Sequence, residues 1–401
     1  MVPSGQGPHA MFNYIVSAFI AAGIALVALA GIGPGGAPRA AEPPTRIGTS
    51  LPVPQQPARG AAAPPAATPA SAASAANSIA AILDANRVPY LPQEGRADYR
   101  RFLLRPTPRA FAISRDGAWG WASAIDNDPE QTAERALANC RRWGGSDCRL
   151  YARDLSVLWP GMEATPPAPP DRPLVAGSGY AVVPDGRFLW RGPQAARGAY
   201  IWAHGRAPNG IDSRGAQPQP HVRPFNHAGY DVLRFDRDPA TDETEAGAAW
   251  LREALVALRA QGYRRIVVGG QSRGAWNALQ TLDRPGLADA VIAIAPAAHG
   301  PTGSPAHAWA LDDLRHIVAT AQNPNARVVV ANFAGDPFDP DPEQRSRIFR
   351  ALTSPRVGAL LFLDRPQDFS GHGAGADWRF TQRYGACLLD FVEGRAARCG
   401  G

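Results

Sequence analysis

The stretch of the chain with the clearest chemical potential is Gly270-Gln271-Ser272-Arg273-Gly274. A β-branched apolar run at 264–269 precedes it, and residues 275–279 have the pattern of the first turns of a helix. A serine in a G-x-S-x-G sequence between a strand and a helix is typical of a nucleophile elbow, which exposes the serine hydroxyl. Glycines are needed on both sides because side chains there would collide where the chain doubles back. The sequence therefore predicts Ser272 as a nucleophile.

A serine nucleophile needs a base and a carboxylate near it. Its hydroxyl becomes reactive when an imidazole takes the proton, and a carboxylate fixes the tautomer of that imidazole. Asp336 follows an apolar run at 328–333, and His372 follows the last such run, at 360–363. Loops at the carboxyl ends of parallel strands converge on one crevice. We therefore expect Ser272, Asp336 and His372 to meet there.

These residues lie in a region, 174–401, in which short apolar runs alternate with helical patterns. Such alternation indicates the α/β class, with a mostly parallel, doubly wound sheet covered by helices on both faces. We expect a helix at 242–261, opened by a capping box of Asp242 and Glu245, and a closing helix at 379–393. The expected strands, of which the first two form a hairpin, are 180–183, 187–190, 200–203, 230–235, 266–268, 290–294, 328–330 and 360–363.

This order of elements resembles the α/β-hydrolase fold across region 174–401. The family places its triad in the chain order nucleophile, acid, histidine. The resemblance therefore implies that Ser272, Asp336 and His372 are the catalytic residues.

Other residues compete for two of these roles. Asp339 is the alternative acid, although the family-like spacing Asp-x-x-x-Pro favours Asp336. The alternative bases come too early in the chain for the family order, and we expect them at the surface or hydrogen-bonded. They are His299, His307 and His316.

The resemblance also implies an oxyanion hole made of backbone N–H groups. One donor is the N–H of Arg273, directly after the nucleophile. His204-Gly205-Arg206 follows the strand at 200–203 and resembles the family's His-Gly turn, so the second donor is assigned to Arg206, with Gly205 as the alternative. The side chain of Arg273 could meet an anionic group of a substrate or form a structural salt bridge, and the sequence does not decide between them.

The activity implied by the resemblance is that of a serine hydrolase acting on small-molecule esters through an acyl-enzyme, most like the carboxylesterase and dienelactone-hydrolase branch. Peptidase and acyltransferase activities belong to the same fold, and a non-catalytic envelope binding protein is the alternative from another class. No cofactor is expected, and the histidines do not form a metal-binding cluster. Between residues 294 and 311 there is too little chain for a large helical lid, which favours an open site.

The amino-terminal region indicates export. Residues 12–32 are almost purely apolar, and Ala28-Leu29-Ala30 has the small-x-small form of a signal-peptidase site. No Lys or Arg precedes the run, and its length also suits an uncleaved membrane anchor; Met11 is an alternative start. Both alternatives predict a periplasmic or secreted protein whose membrane contact, if any, is made by this segment.

Between this segment and region 174–401 the sequence predicts a small folded domain flanked by linkers. Residues 33–76 are rich in Pro, Ala, Gly and Ser, which is typical of a flexible spacer, and 160–173 is a second Pro-rich linker. Residues 77–159 have a ββαβ pattern, with strands at 109–114, 119–122 and 148–152. The pattern resembles a small domain of undefined function in exported bacterial proteins, and we expect a binding or packing role. The resemblance depends on Phe111, Trp119, Trp121, Cys140 and Cys148.

The cysteines indicate disulfide bonds, and the charge distribution argues against a nucleic-acid partner. Four cysteines allow three pairings, of which we favour the local one, Cys140 with Cys148 and Cys387 with Cys399. The net charge of +6 comes from scattered arginines, since the chain contains no lysine. Without a basic block, a nucleic-acid partner is not expected.

Overall fold

The computed structural model describes residues 69–124, 126–207 and 211–399. The predicted export segment, 12–32, and most of the predicted spacer lie outside these residues. Helix α1 (Pro69–Leu83) includes the last residues that we assigned to the spacer, because its alanine-rich sequence has a high helix propensity. Within the described ranges, no helix has the length and apolar character needed to cross a membrane.

The first sheet has four antiparallel strands in the order β2-β1-β3-β4. The strands of this sheet and the helices beside them are, in chain order, α2 (Gln93–Leu103), β1 (Arg109–Ile113), β2 (Trp119–Ser123), α3 (Pro129–Arg142), β3 (Arg149–Arg153) and β4 (Ser156–Val157). The expected ββαβ order is present, and it is followed by the short strand β4, which pairs antiparallel with β3. Asp128 caps α3 by accepting hydrogen bonds from the N–H groups of Glu130 and Gln131.

The four cysteines are paired locally. One disulfide joins Cys140, near the end of α3, to Cys148, just before β3. The other joins Cys387 to Cys399 and ties the last described residues to the final helix. The predicted connectivity is confirmed, and all four cysteines are oxidised.

The second sheet has eight strands in the order β12-β11-β10-β9-β7-β8-β6-β5. The strands are β5 (Val175–Ala176), β6 (Tyr180–Pro184), β7 (Gly198–Ala203), β8 (Tyr230–Arg237), β9 (Ile266–Gln271), β10 (Ala290–Ile294), β11 (Asn323–Asn332) and β12 (Val357–Asp364). The neighbouring pairs from β12 to β8 are parallel, whereas β6 and β5 are antiparallel to the strands beside them.

Helices cover both faces of this sheet. They are α4 (Arg223–His227), α5 (Thr244–Ala260), α6 (Arg273–Gln280), α7 (Ala310–Thr320), α8 (Pro342–Arg350) and α9 (Trp378–Val392). One hydrophobic cluster lies between the sheet and α5 to α8, and a second lies between the opposite face and α4 with α9. A mostly parallel, doubly wound sheet is therefore confirmed as the fold class.

Two local predictions are wrong. Residues 187–190 are not a strand, because the Asp185 carboxylate accepts hydrogen bonds from the backbone and side chain of Arg187 and turns the chain; the hairpin partner of β6 is β5. Asp242 does not cap α5, whose N-cap is Glu243 without a side-chain hydrogen bond. Asp242 instead forms a buried ion pair with Arg237, at 2.9 Å.

A residue that precedes α4 packs into the core beneath the first sheet. Leu189 is 2% exposed and belongs to the same hydrophobic cluster as Phe102, Phe111 and Tyr151. Its backbone N–H donates to Asn226 Oδ1, at 2.9 Å, which ties it to α4. The loop between β6 and β7 thus contributes an apolar side chain to the core beneath the first sheet.

We predict that Leu189→Ala lowers the thermal unfolding midpoint by several degrees, since truncating a buried leucine costs about 2–5 kcal/mol. Circular dichroism measures the transition. The matched control is Leu158→Ala, because Leu158 is 42% exposed and should be nearly neutral. Equal midpoints for the two variants would contradict the shared core.

Candidate active site

Ser272 lies at the tight turn between β9 and α6. Its backbone has φ 55° and ψ −122°, a conformation that costs free energy for a residue with a side chain. Neighbouring strands hold it in place: its N–H donates to the Ile294 carbonyl, at 3.1 Å, and its carbonyl accepts from the N–H of Ala297, at 3.2 Å. The turn therefore presents the serine side chain in one direction.

The flanking glycines are required by the end of β7. A Cβ atom at Gly274 would lie 2.0 Å from the Ala203 carbonyl oxygen, and one at Gly270 would lie 2.7 Å from the same atom. This oxygen is a backbone atom and cannot rotate away. The G-x-S-x-G spacing thus reflects a backbone-to-backbone contact with β7.

Asp336 and His372 are in direct contact. Their loops follow β11 and β12 and are joined by a bridge between Ala334 and Ser370. Nδ1 of His372 lies 2.9 Å from Oδ2 and 3.0 Å from Oδ1 of Asp336. The Phe338 ring packs on the imidazole with centroids 4.1 Å apart. The carboxylate, 6% exposed, is therefore shielded from water and directed at one imidazole nitrogen.

A hydrogen bond joins His372 to Gln271, the residue directly before Ser272. Gln271 Nε2 donates to the His372 carbonyl, at 3.3 Å. His372 Nε2 is buried and has no hydrogen-bond partner among the described residues, and no hydrogen bond links it to Ser272 Oγ. Hydrogen bonds of this kind are often long in unliganded enzymes and shorten when substrate binds.

The alternative acid does not contact the imidazole. Asp339 is buried, and the nearest charged group to its carboxylate is Arg345, with N and O 3.8 Å apart. Arg345 in turn donates to the Pro296 carbonyl. Burial raises the pKa of Asp339. Its side chain therefore pairs with Arg345 and makes no hydrogen bond to His372.

The alternative bases also lie apart from Asp336. His299 Nε2 pairs with Asp313 of α7, at 2.6 Å. His307 Nδ1 lies 3.1 Å from the Gly300 carbonyl, and His316 is exposed on α7.

The turn His204-Gly205-Arg206 lies against Ser272, since a Cβ atom at Gly205 would be 3.2 Å from Ser272 Cβ. His204 Nε2 accepts the Arg237 N–H at 3.2 Å, so Nδ1 carries the proton and donates to the Gly205 carbonyl at 2.6 Å. Burial, with the nearby Arg237, lowers the pKa of His204 to about 4, which keeps the ring neutral. The Gly205 carbonyl and the Arg206 N–H belong to one planar peptide, so this bond sets the direction of the Arg206 N–H.

The two candidate oxyanion donors are the backbone N–H groups of Arg206 and Arg273. Neither the Arg206 nor the Arg273 N–H donates to an acceptor within the part of the chain that the structure describes. Arg273 is the first residue of α6, where N–H groups have no partner within the helix. Its side chain is buried and donates to the carbonyls of Ala298, at 3.1 Å, and Asp242, at 3.4 Å. The guanidinium is therefore bound to backbone carbonyls, and it forms no salt bridge among the described residues.

Arg237 is a residue of the site that the sequence analysis missed. Its guanidinium donates to the His204 carbonyl, at 2.7 Å, and to the Asp242 carboxylate, at 2.9 Å. The available signal was an arginine at the end of a strand, followed five residues later by an acid, Asp242. The sequence pattern assigns that acid to a helix cap instead.

Comparisons with known proteins give distant structural similarity. No family model matches the chain, and no curated protein sequence matches it significantly. Among solved structures, a truncated carbohydrate esterase from gut microbiota is 12% identical, with a TM-score of 0.41, over 57% of this chain and 100% of that one. An esterase of Pyrococcus furiosus is 16% identical, with a TM-score of 0.37, over 50% of this chain and 81% of that one. Brefeldin A esterase is 18% identical, with a TM-score of 0.34, over 57% of this chain and 78% of that one. The assignment of the fold class rests on the strand order described above.

We predict that Gly274→Ala destabilises the protein by about 1–3 kcal/mol, because the new methyl group collides with backbone of β7. Chemical unfolding followed by tryptophan fluorescence measures the change. The matched control is Gly373→Ala, beside His372, where an added Cβ atom meets nothing within 4 Å. Equal stabilities would show that the elbow relaxes more easily than the contact suggests.

Proposed function

We propose that the protein is a serine hydrolase that cleaves ester bonds, with Ser272 as nucleophile, His372 as base and Asp336 as the orienting acid. One observation carries the proposal. An imidazole whose Nδ1 is bound by a buried carboxylate lies at the carboxyl ends of the parallel strands, as does a serine in a tight turn with positive φ. Ser272, Asp336 and His372 follow β9, β11 and β12, which are joined through β10 in the parallel part of the sheet.

In this mechanism each group has one task. The Asp336 carboxylate accepts a hydrogen bond from the Nδ1–H of His372, which leaves Nε2 free to take the Ser272 proton while Oγ attacks the ester carbonyl. The protonated imidazole then gives that proton to the departing alcohol, and an acyl-enzyme remains. Water, activated by the same nitrogen, releases the acid and restores the serine.

The negative oxygen of the tetrahedral intermediate would be bound by the N–H groups of Arg206 and Arg273. Donors of this type contribute roughly 3–4 kcal/mol each in comparable enzymes. The neutral His204 supports this role, because its bond to the Gly205 carbonyl fixes the orientation of the peptide that carries the Arg206 N–H.

We further propose that the protein is exported, as a periplasmic or secreted enzyme or one held by residues 12–32. Both disulfides agree with an oxidising compartment. On this proposal the chain comprises the export segment, a spacer, a small domain at 77–159, a linker at 160–173 and the hydrolase domain at 174–401. We propose that the substrate is a small ester. The fold by itself does not fix the bond cleaved, so this part of the proposal needs its own test.

A fluorophosphonate probe tests the nucleophile, since it reacts with activated serines. We expect the wild-type chain to be labelled and to hydrolyse p-nitrophenyl esters, and Ser272→Ala to lose both properties. Ser370→Ala is the matched control, because Ser370 is exposed in the same loop as His372. A folded wild-type chain that neither reacts nor hydrolyses esters would favour the non-catalytic binding protein.

The acid is tested by a pair of isosteric variants. Asp336→Asn should retain the fold yet lower kcat by about 10⁴-fold, the loss that follows in a serine protease when the imidazole takes the wrong tautomer. Asp339→Asn should stay within several-fold of wild type, since that carboxylate does not touch His372. Steady-state ester hydrolysis measures both, and the reverse order of effects would move the acid to Asp339.

A further inference from the structure

The small domain contacts the segment between β7 and α4. The side-chain amide of Gln217 pairs with the backbone of Thr107, which precedes β1 and is 6% exposed. Gln217 Oε1 accepts the Thr107 N–H at 3.0 Å, and its Nε2 donates to the Thr107 carbonyl at 3.0 Å. An amide that meets both groups of one peptide backbone is held in a single orientation.

This contact continues toward the proposed base. Gln219, two residues further along a Gln-Pro-Gln-Pro sequence, lies beside the loop of His372, since a Cβ atom at Gly375 would be 3.0 Å from its Oε1. Pro218 and Pro220 are buried, and proline fixes the backbone φ angle. The stiff segment 217–220 therefore lies between the small domain and the His372 loop.

A second contact reaches the other end of the same loop. The guanidinium of Arg105, just after α2, lies 4.5 Å from the ring centre of Trp378 and 5.4 Å from that of Trp121. Trp121 belongs to β2, whereas Trp378 is the first residue of α9 and closes the loop of His372. Burial lowers the pKa of Arg105 to about 10, so it is a cation at neutral pH and can bind both ring faces.

We propose that the small domain is part of the active site: through the contact of its Thr107 with Gln217, and of its Arg105 with Trp378, it braces the loop 370–378 and so positions His372. The proposal rests on the proposed function, because it assigns a task to that site's base. Gln217 and Arg105 are positioning residues, since neither touches Ser272, Asp336 or His372. The domain would then set the rate of the chemical step and not the affinity for substrate.

The test uses the full chain with Gln217→Met and Arg105→Met, which keep side-chain volume but remove the amide pairing and the cation. We expect kcat for a p-nitrophenyl ester to fall about 10- to 100-fold, as small misplacements of catalytic groups do, while KM stays within about two-fold. The second-order rate of fluorophosphonate labelling should fall in parallel. Arg105→Lys, which restores a cation between the rings, should recover part of the lost kcat.

Two matched controls separate positioning from general loss of stability. Gln261→Met removes a similar bond, from Nε2 to the Leu174 carbonyl at 2.8 Å, at the opposite edge of the sheet. Arg327→Met removes a guanidinium that lies 4.4 Å from the Phe391 ring centre, also away from the site. Both should keep wild-type kcat even if their unfolding midpoints fall further than those of the test variants.

The outcomes are distinguishable. If wild type hydrolyses esters but Gln217→Met and Arg105→Met match the controls, the bracing role is wrong and the proposed function stands. A rise in KM at unchanged kcat also overturns it, since the domain would then contact substrate. A wild-type chain without ester hydrolysis or labelling at Ser272 overturns both proposals.

Discussion

The close approach of β7 to the elbow is the constraint on which the site depends. In the parallel register Ala203 lies beside Gly270, and the Ala203 carbonyl occupies the space that a side chain at Gly270 or Gly274 would need. This packing lets α6 begin directly above β7 and holds Ser272 at positive φ. It also places the turn after β7 against the serine. One backbone contact therefore positions both the proposed nucleophile and a proposed oxyanion donor.

Buried arginines hold the loops around this contact. Arg237 links the His204 turn to Asp242, and Arg345 links the turn at Asp339 to the Pro296 carbonyl. A buried cation is costly unless it is paired, so each pair constrains the two segments that supply its partners. Neither guanidinium hydrogen-bonds Ser272 or His372. Their contribution is to reduce the number of conformations that the loops can adopt.

How far the sequence could predict this structure depends on how local each signal is. The elbow, the parallel strands and the chain order of Ser272, Asp336 and His372 follow from short motifs and apolar runs. The predictions of a strand at 187–190 and of a helix cap by Asp242 were wrong. In the first case Asp185 binds Arg187, and in the second Arg237 binds Asp242, and a sequence pattern reveals neither contact. The pairing of Gln217 with Thr107 joins residues 110 positions apart and has no local signal at all.

The same long-range contacts bear on how the proposed active site would be held together. Within the described residues, the segment between β10 and α7 contains only a short helical turn, Pro305–Trp309. The N–H of Thr302 in this segment donates to the Pro337 carbonyl, at 2.8 Å, which ties the segment to the loop of Asp336. A site without a large lid cannot rely on closure to exclude water and assemble its groups. Its dipoles must already be fixed before substrate arrives, because preorganisation is what makes them effective. Under the proposed function, bracing of the loops by neighbouring loops and by the small domain would supply this preorganisation.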